Sequence, residues 1–235
     1  MTNSDFTCEK MNSDQELCQK PPCVLMFSGG RDSTLAAVRL QQDGFSPILA
    51  TVTSDHLTGI ELVHQRLREL AHILPHATPW IHVRQPSDLL GQLKFASRTC
   101  LPCQHSYVIV AASIAMHYKA KHIAMGYAMY QGGWPEQTPA ATALLKAVLS
   151  DFGISLVLPC YDLDKKETAI NLLGSHALAN ESLEQKCLRQ VTNEELDADS
   201  LGKELETWEA ALRQTMENIS SIKLELIEQQ QVGGV

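Results

Sequence analysis

The sequence predicts an α/β fold, a parallel sheet of approximately five strands with helices on both faces. Two observations carry the prediction: strand-like and helix-like segments alternate from residue 23 to 158, and the strand-like segments are continuous apolar runs. Strands that are apolar on both faces are typical of parallel sheets buried between helical layers. At 235 residues and 44% hydrophobic content, the chain is long enough for one substantial core.

The elements follow in chain order from local patterns. Pro21 and Pro22 precede the first strand, Gly44 ends the first helix, and Pro75 ends the second helix, whose apolar residues recur at helical spacing. The predicted strands are 23–27, 46–53, 79–83, 122–125 and 154–158. The predicted helices are 33–43, 58–74, 103–119 and 139–152.

Three parts are predicted: a flexible polar leader at 1–20, an α/β domain at 21–190, and a helical extension at 191–235. From 197 to 231 the apolar residues recur at helical spacing, which predicts a helix with one apolar stripe, followed by a frayed glycine-ended tail. That stripe requires a partner. Packing on its own domain and a homodimer contact fit the pattern equally well.

Composition narrows the functional classes. No apolar stretch approaches the length of a membrane span, and the polar start of the chain lacks a secretory apolar region, so a cytoplasmic location is expected. The seven cysteines are then expected to be reduced and to serve metal binding or catalysis. The net charge of −8 favours a small-molecule or protein acceptor over tRNA.

Ser28-Gly29-Gly30-Arg31-Asp32-Ser33, here called the glycine loop, lies between the first strand and the first helix. Its glycines allow backbone N–H groups to approach an anion, and the positive end of the following helix favours phosphate. Ser28 and Ser33 add hydroxyl donors, Arg31 adds a positive charge, and Asp32 is placed to hold Mg²⁺ on the phosphates. Neither a Gly-Lys-Ser/Thr step nor Gly-x-Gly-x-x-Gly is present.

The glycine loop resembles the SGGxDS signature of the PP-loop ATP pyrophosphatases, a family with a PP-loop/HUP-like fold that cleaves ATP to AMP and pyrophosphate while adenylating a substrate. The resemblance implies catalytic roles for Asp32 and Arg31. It also implies ATP contacts from the carboxyl ends of the second and fourth strands. The ATP-binding set is Ser28, Gly29, Gly30, Arg31, Asp32, Ser33, Thr34, Thr51 and Gly126.

Residues 126–139, here called the aromatic loop, follow the fourth strand and combine glycines with aromatic residues. Tyr127 and Trp134 could stack on a planar ligand, with Glu136 and Gln137 supplying directional hydrogen bonds. A turn whose aromatic rings cap the core fits the pattern equally well.

Trp134-Pro135-Glu136, Leu158-Pro159 and the segment 163–168 resemble, in order and spacing, the 7-cyano-7-deazaguanine synthases of queuosine biosynthesis. This resemblance implies that Trp134 and Glu136 line the substrate pocket and that Lys165 is catalytic, reaching toward phosphates. The chain departs from that family at Trp134 and Glu136, where Tyr and Asp are usual, and at Gln137-Thr138, where Cys-Arg is common.

Cys100-Leu101-Pro102-Cys103 is a Cys-x-x-Cys step at a predicted helix start, where two thiolates can face one metal. Together with Cys187 it resembles the tRNA 2-thiocytidine synthesis family, in which three cysteines hold an iron–sulfur cluster. Addition of His105 or His56 would give a closed zinc site instead, and an unliganded pair is the third reading.

Three functional hypotheses follow. The first is an ATP- and Mg²⁺-dependent ligase-type enzyme that adenylates a deazapurine-like acid for attack by a nitrogen nucleophile. The second is an iron–sulfur-dependent sulfurtransferase acting on tRNA. The third is a non-catalytic nucleotide-binding partner in a larger assembly, with the C-terminal helix as its contact element. A protein acceptor remains open.

Overall fold

A computed structural model of the chain describes residues 20–86, 99–189 and 194–235, with Leu89 and Phe95 as isolated positions. Nearly all of the predicted leader, 1–20, therefore lies outside the described residues. The strands are β1 (Pro22–Met26), β2 (Ser46–Thr53), β3 (Leu57–Thr58), β4 (Pro79–Arg84), β5 (His122–Met125), β6 (Ser155–Val157), β7 (Lys186–Cys187) and β8 (Glu225–Gln231). The helices are α1 (Arg31–Gln42), α2 (Ile60–Leu70), α3 (Leu101–His117), α4 (Pro139–Asp151), α5 (Lys166–Ser175) and α6 (Ala198–Glu217).

The main sheet confirms the predicted α/β class. Its strand order is β6-β5-β1-β2-β4-β8, and every pairing is parallel except that of β4 with β8. One hydrophobic cluster contains buried residues of α3, α4 and α6, and a second contains those of α1, α2 and α5. Each of the five predicted strands is present, because each is an apolar run that both clusters cover.

The C-terminal segment differs from the prediction. The helix predicted over 197–231 ends at Glu217, and residues 225–231 form β8 along the edge of β4. Helical spacing could not reveal this change, because β8 gains its hydrogen bonds from a strand almost 150 residues earlier. The tail predicted to fray is fixed: Val232 is fully buried, and its N–H donates to the carbonyl of Thr78 at 2.9 Å.

The apolar stripe of α6 packs on its own domain. Leu205, Trp208, Leu212 and Met216 are buried in the cluster that contains α3 and α4. Asp197 caps the helix by accepting a hydrogen bond from the backbone N–H of Ser200 at 2.8 Å. These four residues of the stripe are therefore covered within the chain itself, which is the first of the two predicted alternatives.

The topology brings several loops to one edge of the sheet. The carboxyl ends of β1, β2 and β5 lie side by side, with Met26 paired to both Ala50 and Met125. In open α/β sheets, ligands bind at this edge. No helix among the described residues is long and apolar enough to cross a membrane.

The fixed tail gives a stability prediction. Val232→Ala should lower the free energy of unfolding by about 1–3 kcal/mol, because it removes buried methyl groups from a closed core. Chemical denaturation would measure the change. Ile227→Ala on β8 is the matched control: Ile227 is 43% exposed, so its truncation should cost less than about 0.5 kcal/mol. Equal, negligible effects would mean that the tail is frayed after all.

Candidate active site

The glycine loop makes a sharp turn between β1 and α1. Gly29 has φ +80°, a left-handed conformation that side chains rarely adopt. A Cβ on Gly29 would also lie only 2.2 Å from the carbonyl oxygen of Leu183. This position therefore requires glycine for two reasons, backbone conformation and the close approach of a second chain segment.

Hydroxyl groups hold the glycine loop in shape. Ser28 Oγ lies 3.1 Å from Ser33 Oγ and accepts from the N–H of Gly30 at 3.2 Å, while Thr34 Oγ1 donates to the Gly30 carbonyl at 2.7 Å. Gly30 is the N-cap of α1, and no side chain caps it by a hydrogen bond. The first N–H groups of α1 thus remain directed toward the cavity, where a phosphate would accept from them.

Gly126, predicted to bind ATP, permits close packing at the end of β5. A Cβ there would lie 2.7 Å from both the N and Cα atoms of Ser33 in the first turn of α1. The absence of a side chain lets the start of the aromatic loop lie directly against the glycine loop. Both loops therefore line a single cavity.

That cavity has a volume of about 430 Å³, within the range of small-molecule sites. Its lining includes the glycine loop, the aromatic loop, a segment that follows α5, the start of α3, and Val52 and Leu57 of β2 and β3. The predicted residues in its lining are Ser28, Gly30, Arg31, Asp32, Ser33, Gly126, Tyr127, Trp134, Glu136, Gln137 and Cys100. Gly29 and Thr34 are not part of the lining; their contacts hold the shape of the glycine loop.

Arg31 and Asp32 carry the charges of the glycine loop. Nη1 of Arg31 donates to the carbonyl of Asn180 at 3.5 Å, and its buried Nε has no hydrogen-bond partner among the described residues. That Nε is a donor available to an anion. Burial raises the pKa of Asp32, while a hydrogen bond from the Tyr130 hydroxyl and the charge of Arg31 act in the opposite direction.

The four predicted substrate-binding residues differ in what their side chains do. Glu136 is 2% exposed and Trp134 is 39% exposed, so the carboxylate lies inside the cavity and the indole at its rim. Tyr127 is buried, and its hydroxyl donates to Gln104 Oε1 at 2.9 Å. Gln137 Oε1 accepts from the N–H of Ala128 at 3.1 Å, and Nε2 donates to Gln131, so this amide holds the aromatic loop together.

Two predicted residues lie apart from the described cavity lining. Thr51 is buried in β2, where its hydroxyl donates to the Phe27 carbonyl at 2.7 Å and accepts from Trp80 Nε1 at 2.9 Å. The Thr51 hydroxyl therefore both donates and accepts a hydrogen bond within the sheet. Lys165 precedes α5 and is exposed, whereas its neighbour Lys166 is the lysine whose charge lowers the pKa of Asp32.

Of the three cysteines predicted as metal ligands, Cys100 lines the cavity. Burial raises the pKa of Cys100 to about 12, and the charges of Cys103 and Cys187 add to that rise. Cys187 lies opposite Leu57 in the pairing of β3 with β7. Among the described residues, however, no group of three or more His, Cys, Asp and Glu side chains is arranged to hold a metal ion. The arrangement as it stands does not fit a cluster or a zinc ion.

The two histidines considered as further metal ligands, His56 and His105, lie in different surroundings. His56 Nε2 lies 3.9 Å from Cys103 Sγ, and its Nδ1 lies 2.9 Å from Ser54 Oγ. His105 lies on α3, where burial lowers its pKa to about 4, and its Nε2 lies 3.3 Å from Thr215 Oγ1. His105 therefore faces α6, and His56 is the histidine beside the cysteines.

Sequence reasoning missed the wall segment, Ala179–Gln185, which follows α5 and crosses the glycine loop. Ser182, Glu184 and Gln185 line the cavity. Gln185 Nε2 donates to the Val52 carbonyl at 2.9 Å, and Thr53 Oγ1 donates to Gln185 Oε1 at 2.7 Å. The segment has no periodicity and no recognisable motif. The one signal that could have indicated it is Gly29 itself, which demands a close backbone neighbour.

No protein-family model and no curated protein matches the sequence. Solved structures do match. A 4-thiouridine synthetase in complex with RNA and bound ATP superposes with a TM-score of 0.62 and 21% identity, over 88% of this chain and 55% of that one. The chain thus spans little more than half of that synthetase.

Two further structures match at lower similarity. NMN synthetase from Francisella tularensis has a TM-score of 0.50 and 13% identity, over 86% of this chain and 87% of that one. The U34-tRNA thiolase NcsA from Methanococcus maripaludis, with its 4Fe–4S cluster, has a TM-score of 0.47 and 14% identity, over 88% of this chain and 74% of that one. At 21% identity the likeness concerns the fold alone: this chain shares with the 4-thiouridine synthetase an α/β fold with a mostly parallel central sheet between helices.

Proposed function

We propose that this protein is a PP-loop enzyme that cleaves ATP to AMP and pyrophosphate while adenylating a small heterocyclic substrate. The observation that carries the proposal is the cavity of about 430 Å³ in which an anion-binding loop faces a buried carboxylate and an aromatic ring. The fold shared with an ATP-bound synthetase supports the nucleotide half. The aromatic loop supports the small-molecule half.

The phosphate half depends on groups already in place. The uncapped N–H groups at the start of α1 and the cationic side chain of Arg31 belong to the part of the glycine loop that lines the cavity. Such preorganised donors stabilise the negative charge that develops on departing pyrophosphate. Asp32 offers the carboxylate oxygen that would hold Mg²⁺, a cation that prefers oxygen ligands and would neutralise phosphate charge when bound.

The proposed reaction has two steps. A carboxylate or carbonyl oxygen of the substrate attacks the α-phosphorus, forming a new P–O bond as the bond to the β-phosphate oxygen breaks and pyrophosphate leaves. A nitrogen nucleophile then forms a bond to the activated carbon, and the C–O bond to AMP breaks. A carboxylic acid would thereby become an amide, with the proton of the nitrogen released to solvent.

The second half of the cavity favours a planar, hydrogen-bonding substrate of the deazapurine class. Glu136 presents an acceptor to ring or exocyclic N–H groups, and Trp134 presents an aromatic surface at the rim. The chain's resemblance to the 7-cyano-7-deazaguanine synthases of queuosine biosynthesis points to the same class.

Sulfur transfer to tRNA is the second candidate. The observation in its favour is that Cys187, from a distant part of the chain, adds to the rise in the pKa of both Cys100 and Cys103, and that Cys100 lines the cavity. In this reading a sulfur nucleophile replaces the nitrogen nucleophile, and a base carbonyl of RNA is adenylated. The net charge of −8 opposes a large RNA contact surface.

The Asp32→Asn variant tests whether Asp32 supports the binding of ATP with Mg²⁺. This test does not require that the acceptor be known. The change keeps the shape of the side chain and removes the charge that would hold Mg²⁺, so the gain in ATP affinity that Mg²⁺ confers should fall at least tenfold. Calorimetric titration of ATP with and without Mg²⁺ measures this. Asp43→Asn, exposed at the other end of α1, should match the unmodified protein. Equal Mg²⁺ dependence in both variants would contradict the role of Asp32.

Glu136→Gln tests the substrate half. Supplied with ATP, Mg²⁺, ammonia and a panel of deazapurine carboxylic acids, the unmodified protein should release pyrophosphate with at least one acid. The variant should lose about a hundredfold in that activity, because a buried carboxylate acceptor becomes an amide. Its affinity for ATP should be unchanged. Glu167→Gln, exposed on α5, is the control. ATP binding without pyrophosphate release from any acceptor would favour the non-catalytic hypothesis.

Metal analysis separates the two candidate enzymes. Protein purified without oxygen should contain no stoichiometric iron or acid-labile sulfide, since the described cysteines are not arranged as a ligand set. About four irons per chain, lost in Cys100→Ser, Cys103→Ser and Cys187→Ser and kept in Cys8→Ser, would instead make sulfur transfer the leading function.

A further inference from the structure

We propose that Arg66 is a positioning residue of this active site: its buried guanidinium fixes the glycine loop against the wall segment and keeps the anion site preformed. Arg66 lies on α2, outside the cavity lining. The inference rests on the proposed function in one respect, since the anion is taken to be the phosphate chain of ATP.

The hydrogen bonds of Arg66 join two distant segments. Nε donates to the Gly29 carbonyl at 3.4 Å, Nη1 to the Ala179 carbonyl at 3.1 Å, and Nη2 to the Glu181 carbonyl at 2.6 Å. One planar group therefore binds the glycine loop and the start of the wall segment. Only a guanidinium offers donors in a fixed fork of this kind.

Burial makes the arrangement rigid. Arg66 has no exposed surface, and a buried guanidinium without partners would cost several kcal/mol. Glu69, one turn along α2, forms a salt bridge with Arg66. The same carboxylate accepts from the backbone N–H of Ala179 at 3.4 Å, so the pair contacts both polar groups of that residue. Displacement of the wall segment would leave the buried charge unsatisfied.

The glycine loop and the wall segment, which Arg66 joins, already lie as close together as their backbones allow. The Leu183 carbonyl occupies the space where a Cβ of Gly29 would lie, so the two backbones are in contact. At its other end the wall segment is tied to β2 through Gln185. Between these two attachments lie Ser182 and Glu184, which line the cavity. Release of the Arg66 end would loosen both the loop and the lining.

A purely electrostatic role is the alternative, in which the positive charge behind the loop attracts phosphate. Arg66→Lys discriminates between the two. Lysine keeps the charge, but its single ammonium cannot reach three carbonyls on two segments. Arg66→Met removes charge and fork together while retaining an unbranched apolar stem. Arg68→Lys, exposed on the same helix, is the matched control.

Two measurements are made on the full chain: hydrogen exchange of backbone amides followed by mass spectrometry, and the dissociation constant of ATP with Mg²⁺. In Arg66→Lys, exchange should rise together in 28–34 and 179–185 and stay unchanged in β4 and β8. The dissociation constant should rise about tenfold, to the same extent as in Arg66→Met. Arg68→Lys should leave both measurements unchanged.

Unchanged exchange in both segments of a folded Arg66→Lys protein would overturn the proposal. Normal ATP affinity in Arg66→Lys beside a weakened Arg66→Met would also overturn it in favour of charge alone. If both Arg66 variants fail to fold, Glu69→Gln decides: exchange raised in 179–185 supports the proposal, and unchanged exchange rejects it. If the unmodified protein binds no ATP, the proposed function fails, and exchange alone decides whether Arg66 positions the loop.

Discussion

The contact between the Gly29 backbone and the Leu183 carbonyl is the constraint on which the rest of the site depends. It brings a segment from beyond α5 onto the turn between β1 and α1, two parts of the chain separated by about 150 residues. A side chain at Gly29 would force them apart, and φ +80° would be strained for any other residue. The glycine therefore serves the packing of the loop as much as any ligand, and Arg66 and Gln185 hold the contact from either side.

A second close contact at a glycine fixes the neighbouring aromatic loop. Gly126 lies against Ser33, so the carboxyl end of β5 and the first turn of α1 share one wall of the cavity. Cys160 Sγ donates to the Asp32 carbonyl at 3.5 Å, and Tyr130 donates to the Asp32 side chain, so residues from two further loops fix the acidic residue of the glycine loop. Burial raises the pKa of Asp32, and these partners fix the position of the residue. The site is consequently rigid where phosphate would bind, while Trp134 at its rim remains partly exposed.

Most of the fold could be predicted because its strands are apolar on both faces and glycine or proline follows the first two helices. β2 and β5 occur within the predicted bounds, since Ser46–Thr53 and His122–Met125 are apolar runs between clear breaks. β8 could not be predicted, because its Gln-rich sequence is neither apolar nor strictly alternating, and pairing with β4 alone makes it a strand. The site divides in the same way. Local motifs indicated the two loops, whereas the hydrogen bonds of Thr51 within the sheet depend on strands that are distant along the chain.

The sequence by itself determined the α/β class, the position of the glycine loop and the aromatic loop beside it, because each depends on residues that are close along the chain. Only the tertiary structure decided the role of the wall segment and the attachment of the C-terminal strand. These features depend on which surfaces remain uncovered once the sheet has formed. A buried arginine among polar helix residues illustrates the difference: Arg66 reads as one more surface charge in the sequence, and its three carbonyl partners exist only in the folded chain.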